Sequence, residues 1–163
     1  MKILVVDDSR AMRMIVKRGL TQAGYGAYEL LTADCAESAR ALIVEAQPDL
    51  MLVDINMPGT SGVELVESLQ RDDSEILFGM VTAERSEETL NKAVMVGAQF
   101  VLHKPFTALE IQLALEPVIR TLQIIAKLKA ENTQLKELVS RLSPEKSENG
   151  DKSTEDVGLR VGG

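Results

Sequence analysis

The sequence predicts an α/β fold in which helices cover both faces of a five-stranded parallel sheet. Short apolar runs without polar alternation recur along the chain, as expected of strands that are buried on both faces. Segments with apolar residues at helical spacing separate these runs, and this alternation is typical of a doubly wound parallel sheet. The strands are predicted at residues 3–6, 28–32, 50–53, 76–81 and 100–102.

The predicted helices carry start and stop signals. The fourth opens with Ser86 and two glutamates, a helix cap followed by early acids. The last opens with Thr107 and has Glu110 three residues later, which is the capping-box pattern. The helices are predicted at residues 12–20, 36–46, 61–69 and 86–96 and from residue 107 onward.

The amino-acid composition limits the classes of protein to which the chain can belong. With 45% apolar and 26% charged residues, the 163-residue chain has the composition of a globular protein. The net charge of −7 argues against a nucleic-acid partner, because phosphate backbones are bound by basic surfaces. One cysteine, Cys35, excludes an internal disulfide, and no apolar run approaches the ~20 residues of a membrane span. We therefore expect a cytoplasmic protein without a membrane partner.

Polar side chains follow four of the five predicted strands. Asp7 and Asp8 follow the first strand, Asp54 the third, Thr82 the fourth and Lys104 the fifth. The carboxyl ends of parallel strands share one edge of the sheet, and ligands bind outside that edge. We therefore expect these five residues to meet at one site.

Three carboxylates at one edge repel each other unless a cation lies among them. Oxygen ligands with room for water suit Mg²⁺. Phosphoryl transfer needs a nucleophile, a cation and donors that fix the phosphoryl oxygens. We interpret Asp54 as the phosphoryl acceptor, Asp7 and Asp8 as the acids that hold Mg²⁺, and Lys104 and Thr82 as the donors.

Four motifs at these strand ends carry a family resemblance over residues 2–116. They are VVDDSRAMRMIV, LVDINMPGTSG, MVTAE and HKPFT. In this order they resemble the receiver domain of bacterial two-component response regulators, in particular its CheY-like members. The resemblance implies a flavodoxin-like sheet of order 2-1-3-4-5. It also implies a phosphoprotein that takes its phosphoryl group from the phosphohistidine of a sensor histidine kinase. Such a protein catalyses its own phosphotransfer and dephosphorylation and is not a turnover enzyme.

The resemblance also implies a metal ligand set. Asp8 and Asp54 would bind Mg²⁺ directly, Asp7 would help through a water molecule, and the backbone carbonyl of Asn56 would complete the site. Each of these residues stands at the position of this sequence that matches the family motif.

Further residue roles follow from the same resemblance. Lys104 would bind the phosphoryl oxygens, and Thr82 would turn to hydrogen-bond one of them and shift the fourth helix. Pro105 would follow a cis peptide bond. Asn56 and Glu84 occupy the two positions that tune how long the phosphoryl group lasts, and both match the CheY-like pattern of a short-lived signal.

One position departs from the family pattern. The family usually has Tyr or Phe three residues before the lysine, and Val101 stands there, beside Phe100. Because strand side chains alternate between faces, we expect Phe100 to point away from the position of the missing ring. The usual coupling between threonine and aromatic ring is then unavailable, and the last helix becomes a candidate for the output.

Residues 118–142 predict a parallel two-stranded coiled coil. β-Branched residues alternate with leucines at spacings of three and four, and one asparagine at an a position fixes register. The seam comprises Val118, Thr121, Ile125, Leu128, Asn132, Leu135, Val139 and Leu142. Pro117 before it predicts a kink or the start of a second helix. The predicted organisation is a receiver domain at 1–116, a dimerising helix at 117–142 and a disordered tail at 143–163.

We interpret the chain as a stand-alone response regulator that forms a homodimer and docks on another protein, still unidentified, when phosphorylated. One alternative is a scaffold or adaptor in which the coiled coil is the main function. Another is a transcription regulator, although no helix-turn-helix pattern is present. A haloacid-type phosphatase needs two aspartates separated by one residue, whereas Asp7 and Asp8 are adjacent.

Overall fold

The structure is a computed structural model, and it describes residues 1–72 and 74–142. The strands are β1 (Lys2–Val6), β2 (Glu29–Ala33), β3 (Leu50–Asp54), β4 (Leu77–Thr82) and β5 (Val101–His103). The helices are α1 (Arg10–Leu20), α2 (Ala36–Ala46), α3 (Gly62–Arg71), α4 (Glu87–Met95) and α5 (Ala108–Leu142). A π-helical turn, Thr21–Tyr25, follows α1 where the sequence predicted only the end of a helix.

All strand pairs in the sheet are parallel, and the strand order is β2-β1-β3-β4-β5. This order confirms the predicted doubly wound fold. The first strand pairs with both β2 and β3, so the chain reverses its direction of winding beside β1. Such a reversal leaves a crevice outside the carboxyl ends of the strands, which is where ligands bind in folds of this kind.

Along each central strand, alternate residues belong to two different hydrophobic clusters. Leu4 and Val6 belong to a cluster that includes residues of α2, α3 and α4. Ile3 and Val5 belong to the other cluster, which includes residues of α1 and α5. Because neighbouring strand residues point to opposite faces, the two clusters lie on the two sides of the sheet. Burial of both faces explains why the strands are apolar throughout and lack polar alternation.

The two side chains at the departure from the family pattern lie on opposite faces, as predicted. Val101 packs against the cluster that includes α4, whereas Phe100 packs in the cluster of α1 and α5. The ring of Phe100 lies over Gly79 of β4, and a Cβ atom at Gly79 would overlap the ring. Phe100 therefore packs on the face of α1 and α5 and does not replace the ring missing at Val101.

The structure bears on two predictions about the last helix. A single helix, α5, contains Pro117, so of the two predicted alternatives the start of a second helix is not observed. Val118, assigned to the dimer seam, is only 6% exposed and packs in the same cluster as Leu115 and Ile119. The Val118 side chain therefore packs in the hydrophobic core of its own domain. The predicted boundary after residue 116 thus lies within a helix that continues to contribute to the core.

By contacts along the chain, the structure divides into two units, Met1–Ala126 and a second that begins at Lys127. The described part of the second unit is helical to Leu142, and its seam residues Leu128, Leu135 and Val139 are exposed. The tail predicted at residues 143–163 lies outside the described residues. Within the described ranges, none of the helices combines the length and apolar character that crossing a bilayer requires.

The contact between Gly79 and Phe100 predicts a specific packing defect. We expect Gly79→Ala to destabilise the fold by about 1–3 kcal/mol, because the added methyl group must displace the partly buried ring of Phe100. Urea unfolding measures the change. The double variant Gly79→Ala/Phe100→Leu should recover part of the loss, since the smaller side chain leaves room for the methyl group. Gly79→Ala protein that is as stable as wild type would refute this packing.

Candidate active site

The polar residues predicted from the strand ends converge at the carboxyl edge of the sheet. Asp54 ends β3 and Thr82 ends β4, and both are buried. Backbone hydrogen bonds continue the sheet at this edge: Ile55 N–H donates to the carbonyl of Val81 at 3.1 Å. Lys104 N–H likewise donates to the carbonyl of Thr82 at 2.8 Å. The functional side chains are therefore attached to backbone that the sheet holds in place.

Lys104 lies between two of the acids. Its Nζ is 2.7 Å from Oδ2 of Asp7 and 3.1 Å from Oδ2 of Asp54. Asp7 is 2% exposed and Asp54 is 7% exposed, so both ion pairs are largely removed from water. The peptide bond from Lys104 to Pro105 is cis, as the family resemblance implies. The predicted convergence of these three residues is thus observed.

The electrostatics of the site favour added positive charge. Burial raises the pKa of Asp54, the hydrogen bond and charge of Lys104 oppose this rise, and the neighbouring Asp7 carboxylate adds to it. Burial alone would lower the pKa of Lys104, but its hydrogen bonds to Asp7 and Asp54 outweigh that effect and raise it. Lys104 therefore stays protonated. Its positive charge does not fully offset the cost of burying the charged form of Asp54.

Asp7, Asp8 and Asp54 form a group of acids suited to a metal ion. One ligand oxygen from each lies within 4.8 Å of the others, and Asp8 is exposed whereas the other two are buried. Carboxylate oxygens at a partly open position match the preference of Mg²⁺, which keeps several of its water ligands. The donor set therefore fits the predicted metal. The Asn56 carbonyl as a further ligand stays a prediction.

The two residues predicted to tune phosphoryl lifetime are in direct contact. Asn56 Nδ2 donates to Oε1 of Glu84 at 3.2 Å. Glu84 is also tied to the end of β4, because its N–H donates to Oγ1 of Thr82 at 3.0 Å. The carbonyl of Glu84 accepts from Nδ1 of His103 at 3.0 Å. His103 thus lies at the rim of the site, where its hydrogen bond holds the loop after β4.

Sequence reasoning missed two residues that hold the acidic loop after β1. Nη1 of Arg13 donates to the carbonyl oxygens of Asp7 and Asp8, at 2.7 and 3.2 Å. Ser9 caps α1, and its N–H donates to Oδ1 of Asp7 at 2.9 Å. A serine before a helical segment is a recognisable cap signal. For Arg13 no sequence signal exists, because its partners are backbone atoms.

Gly62 was also missed as a residue of the site. A Cβ atom there would overlap the backbone carbonyl of Asp54, so only glycine lets α3 begin so close to the end of β3. Its N–H donates to the carbonyl of Ile55 at 3.1 Å. Gly62 therefore fixes the backbone that presents the Asp54 carboxylate.

The part of the chain that carries these acids, the lysine and the threonine matches a known protein family. The family model described as response regulator receiver domain matches residues 3–116. The chain belongs to the response regulator receiver family. The match covers β1 to the first part of α5 and includes every residue of the acidic site.

Relatives of this receiver are found in bacteria. The phosphate regulon transcriptional regulatory protein PhoB of Pseudomonas aeruginosa is 39% identical over 120 residues, which are 72% of this chain. The chain spans about half of that protein, since the match covers 51% of its length. Chemotaxis protein CheY1 of Helicobacter pylori is 35% identical, and the match covers 74% of this chain and 98% of the relative.

Solved receiver structures agree with this fold. Chemotaxis protein CheY4 of Vibrio cholerae is 33% identical and superposes with a TM-score of 0.59, covering 75% of this chain and 95% of its own. The signal receiver domain of a LuxO-type repressor protein from Vibrio parahaemolyticus has a TM-score of 0.71 at 19% identity, which shows the fold alone.

The raised pKa of Asp54 predicts a pH-dependent stability difference. In metal-free buffer at neutral pH, Asp54→Asn should raise the thermal midpoint by a few degrees, because it removes a charge that burial disfavours. The gain in thermal midpoint should be present at pH values above the raised pKa of Asp54, and it should diminish as the pH falls through that pKa. Below the ordinary value of 3.8 it should vanish, because Asp54 is then neutral in both folded and unfolded protein.

Calorimetry over a pH series measures this difference. Asp49→Asn, at the opposite end of the same strand, is the matched control and should give no gain, because Asp49 accepts a hydrogen bond from the backbone of Lys2. An Asp54→Asn midpoint equal to or below that of wild type at neutral pH would contradict the description of the site.

Proposed function

We propose that the chain is a response regulator whose receiver accepts a phosphoryl group on Asp54 from a sensor histidine kinase. The observation that carries the proposal is the position of Lys104, with Nζ at 2.7 Å from Asp7 and 3.1 Å from Asp54. A partly buried cation between Asp7, which follows β1, and Asp54, which ends β3, places a donor for incoming phosphoryl oxygens beside Asp54. The proposed location is the cytoplasm, where a sensor kinase presents its phosphohistidine.

The proposed reaction is a direct displacement at phosphorus. An Oδ atom of Asp54 attacks, an oxygen–phosphorus bond forms, and the bond from phosphorus to the histidine nitrogen breaks, so that nitrogen keeps the electron pair. Lys104 donates to the phosphoryl oxygens, and the Thr82 hydroxyl provides a second donor. Bound at Asp7, Asp8 and Asp54, Mg²⁺ supplies the positive charge that offsets the charge gathered there. Hydrolysis of the acyl phosphate returns the protein to its starting state and ends the signal. The proposed protein is a switch that catalyses its own phosphotransfer and dephosphorylation, and not a turnover enzyme.

Exposed apolar residues favour protein docking as the output. Leu90, Val94 and Met95 of α4 are exposed, as are Leu109 and Leu113 in the first turns of α5. Leu90, Val94 and Met95 lie within two turns of one helix, and a contiguous apolar patch is typical of protein interaction sites. The target remains unidentified in this proposal.

A second candidate is a transcription regulator, favoured by the 39% identity to PhoB of Pseudomonas aeruginosa. The two candidates share the same receiver chemistry and differ in output. A gel-shift assay of the phosphorylated chain with promoter DNA distinguishes them, because binding that depends on phosphorylation would favour transcriptional control. A scaffold role, in which the coiled coil is the main function, predicts partner binding that is independent of Asp54.

Phosphorylation from a small-molecule donor tests the proposed acceptor. With acetyl phosphate and Mg²⁺, we expect the wild-type chain to become phosphorylated and Asp54→Asn to lose the modification, because an amide oxygen is a poor nucleophile. Asp49→Asn is the matched control and should behave as wild type. Phosphate-affinity gels report the modified fraction. Equal labelling of Asp54→Asn and wild type would overturn the assignment.

Magnesium should stabilise the receiver through Asp8. At saturating Mg²⁺ the wild-type chain should gain about 1–3 kcal/mol in the free energy of unfolding, because the ion binds the folded state alone. Asp8→Asn should lose most of the gain, since it removes one carboxylate of the site. Chemical denaturation with and without Mg²⁺ gives both values, and a full gain in Asp8→Asn would count against this ligand set.

We also propose that the chain forms a parallel homodimer through α5. With Val118 assigned to the core, the seam reduces to residues from Thr121 to Leu142. The leucines at the d positions, Leu128, Leu135 and Leu142, are each more than half exposed in the single chain. Exposed leucines at this spacing favour burial against a second helix, and Asn132 at an a position favours two strands in register.

Two charge substitutions on the seam test the dimer. We expect Leu128→Lys/Leu135→Lys to be monomeric in sedimentation equilibrium at micromolar concentrations, because four lysines would then meet in the coiled coil. Gln123→Lys/Gln134→Lys adds the same charge outside the seam and should remain dimeric. A chain ending at Ala126 should be monomeric and folded, since it keeps the compact unit Met1–Ala126. A monomeric wild-type chain would exclude the dimer.

A further inference from the structure

Glu84 is linked to four parts of the receiver at once. Its N–H donates to Oγ1 of Thr82, and its carbonyl accepts from His103. One carboxylate oxygen accepts from Asn56 at 3.2 Å, and the other accepts from Oγ1 of Thr89 at 2.6 Å. One residue of the loop after β4 therefore connects the site to the first turn of α4.

These contacts form a chain of hydrogen bonds that begins two residues after Asp54. The Asn56 side chain donates to Glu84, which accepts in turn from Thr89. A change in the charge and size of the group at Asp54 thus occurs within two residues of the first member of this series.

Thr89 is the end of this series in α4, and its hydroxyl is not needed to cap the helix. Ser86 caps α4 by accepting from the N–H of Thr89, a backbone bond that any residue at position 89 can make. The Thr89 hydroxyl accepts from Ser86 at 3.0 Å and directs its own proton to Glu84. The side chain is only 4% exposed, so its orientation toward Glu84 is held by packing.

We propose that Thr89 is a positioning residue that holds the Glu84 carboxylate and so couples occupancy of Asp54 to α4. The inference rests on the proposed phosphorylation of Asp54 and adds the route by which it reaches the helix. The route is needed because Val101 and Phe100 lie on opposite faces and the Phe100 ring is fixed over Gly79. The polar chain through Asn56, Glu84 and Thr89 takes the place of an aromatic switch at Val101.

Thr89→Val tests the link, because it keeps the shape of the side chain and removes only the hydroxyl. The full-length chain is saturated with beryllofluoride and Mg²⁺, a stand-in for the phosphoryl group, and backbone amide shifts are compared with those of the metal-free chain. In wild type we expect changes around Asp54 and throughout α4. In Thr89→Val, the shift changes around Asp54 should persist. The equilibrium constant for the change in α4 should fall about fivefold, because that is the ratio to which the loss of one modest hydrogen bond corresponds.

Two further variants separate positioning from packing. Thr89→Ser keeps the hydroxyl and should restore the α4 response. Thr21→Val removes a threonine hydroxyl that donates to the Lys17 carbonyl in another helix, and it should respond as wild type. An undiminished α4 response in Thr89→Val, or equal loss in Thr89→Ser, would overturn the inference. The absence of any change around Asp54 in wild type would instead count against the proposed function and remove the basis of the link.

Discussion

The contact of Lys104 with both Asp7 and Asp54 is the interaction on which the site depends. Three acids approach one another at the carboxyl edge of the sheet, and two of them are buried. Without a cation, mutual repulsion and the loss of hydration would disfavour this arrangement. The lysine is placed there by β5 and by the backbone bond from its N–H to Thr82. The sheet order, with β1 next to β3 and β4 next to β5, is therefore also a requirement of the chemistry.

The positive charge of Lys104 offsets the negative charge of the acids only in part, so the site still favours an added positive charge. Burial still raises the pKa of Asp54 despite the nearby ammonium group. A divalent cation at the exposed side, where Asp8 lies, would complete the compensation. Arg13 and Gly62 contribute without contacting any incoming group: the first binds the carbonyls of the acidic loop, and the second allows close approach of α3 to Asp54.

The strand pattern predicted the sheet and the positions of Asp7, Asp54, Thr82 and Lys104, because buried parallel strands are apolar throughout and end in polar residues. Their family-specific roles came from the resemblance instead. Arg13 escaped prediction because it binds backbone atoms, and Thr89 because its partner lies in a loop of irregular conformation. Val118 was misassigned because its spacing suits both a coiled-coil seam and the buried stripe of a helix. Only tertiary contacts distinguish these two roles.

The central claim is that Asp54 itself becomes phosphorylated, and chemical trapping tests it most directly. The wild-type chain is treated with acetyl phosphate and Mg²⁺ and then with borohydride, which reduces an acyl phosphate to an alcohol. Mass spectrometry of the peptides locates the altered residue. We expect one reduced side chain, at Asp54, formed only when donor and Mg²⁺ are both present. A reduced or phosphorylated residue elsewhere, with Asp54 intact, would contradict it.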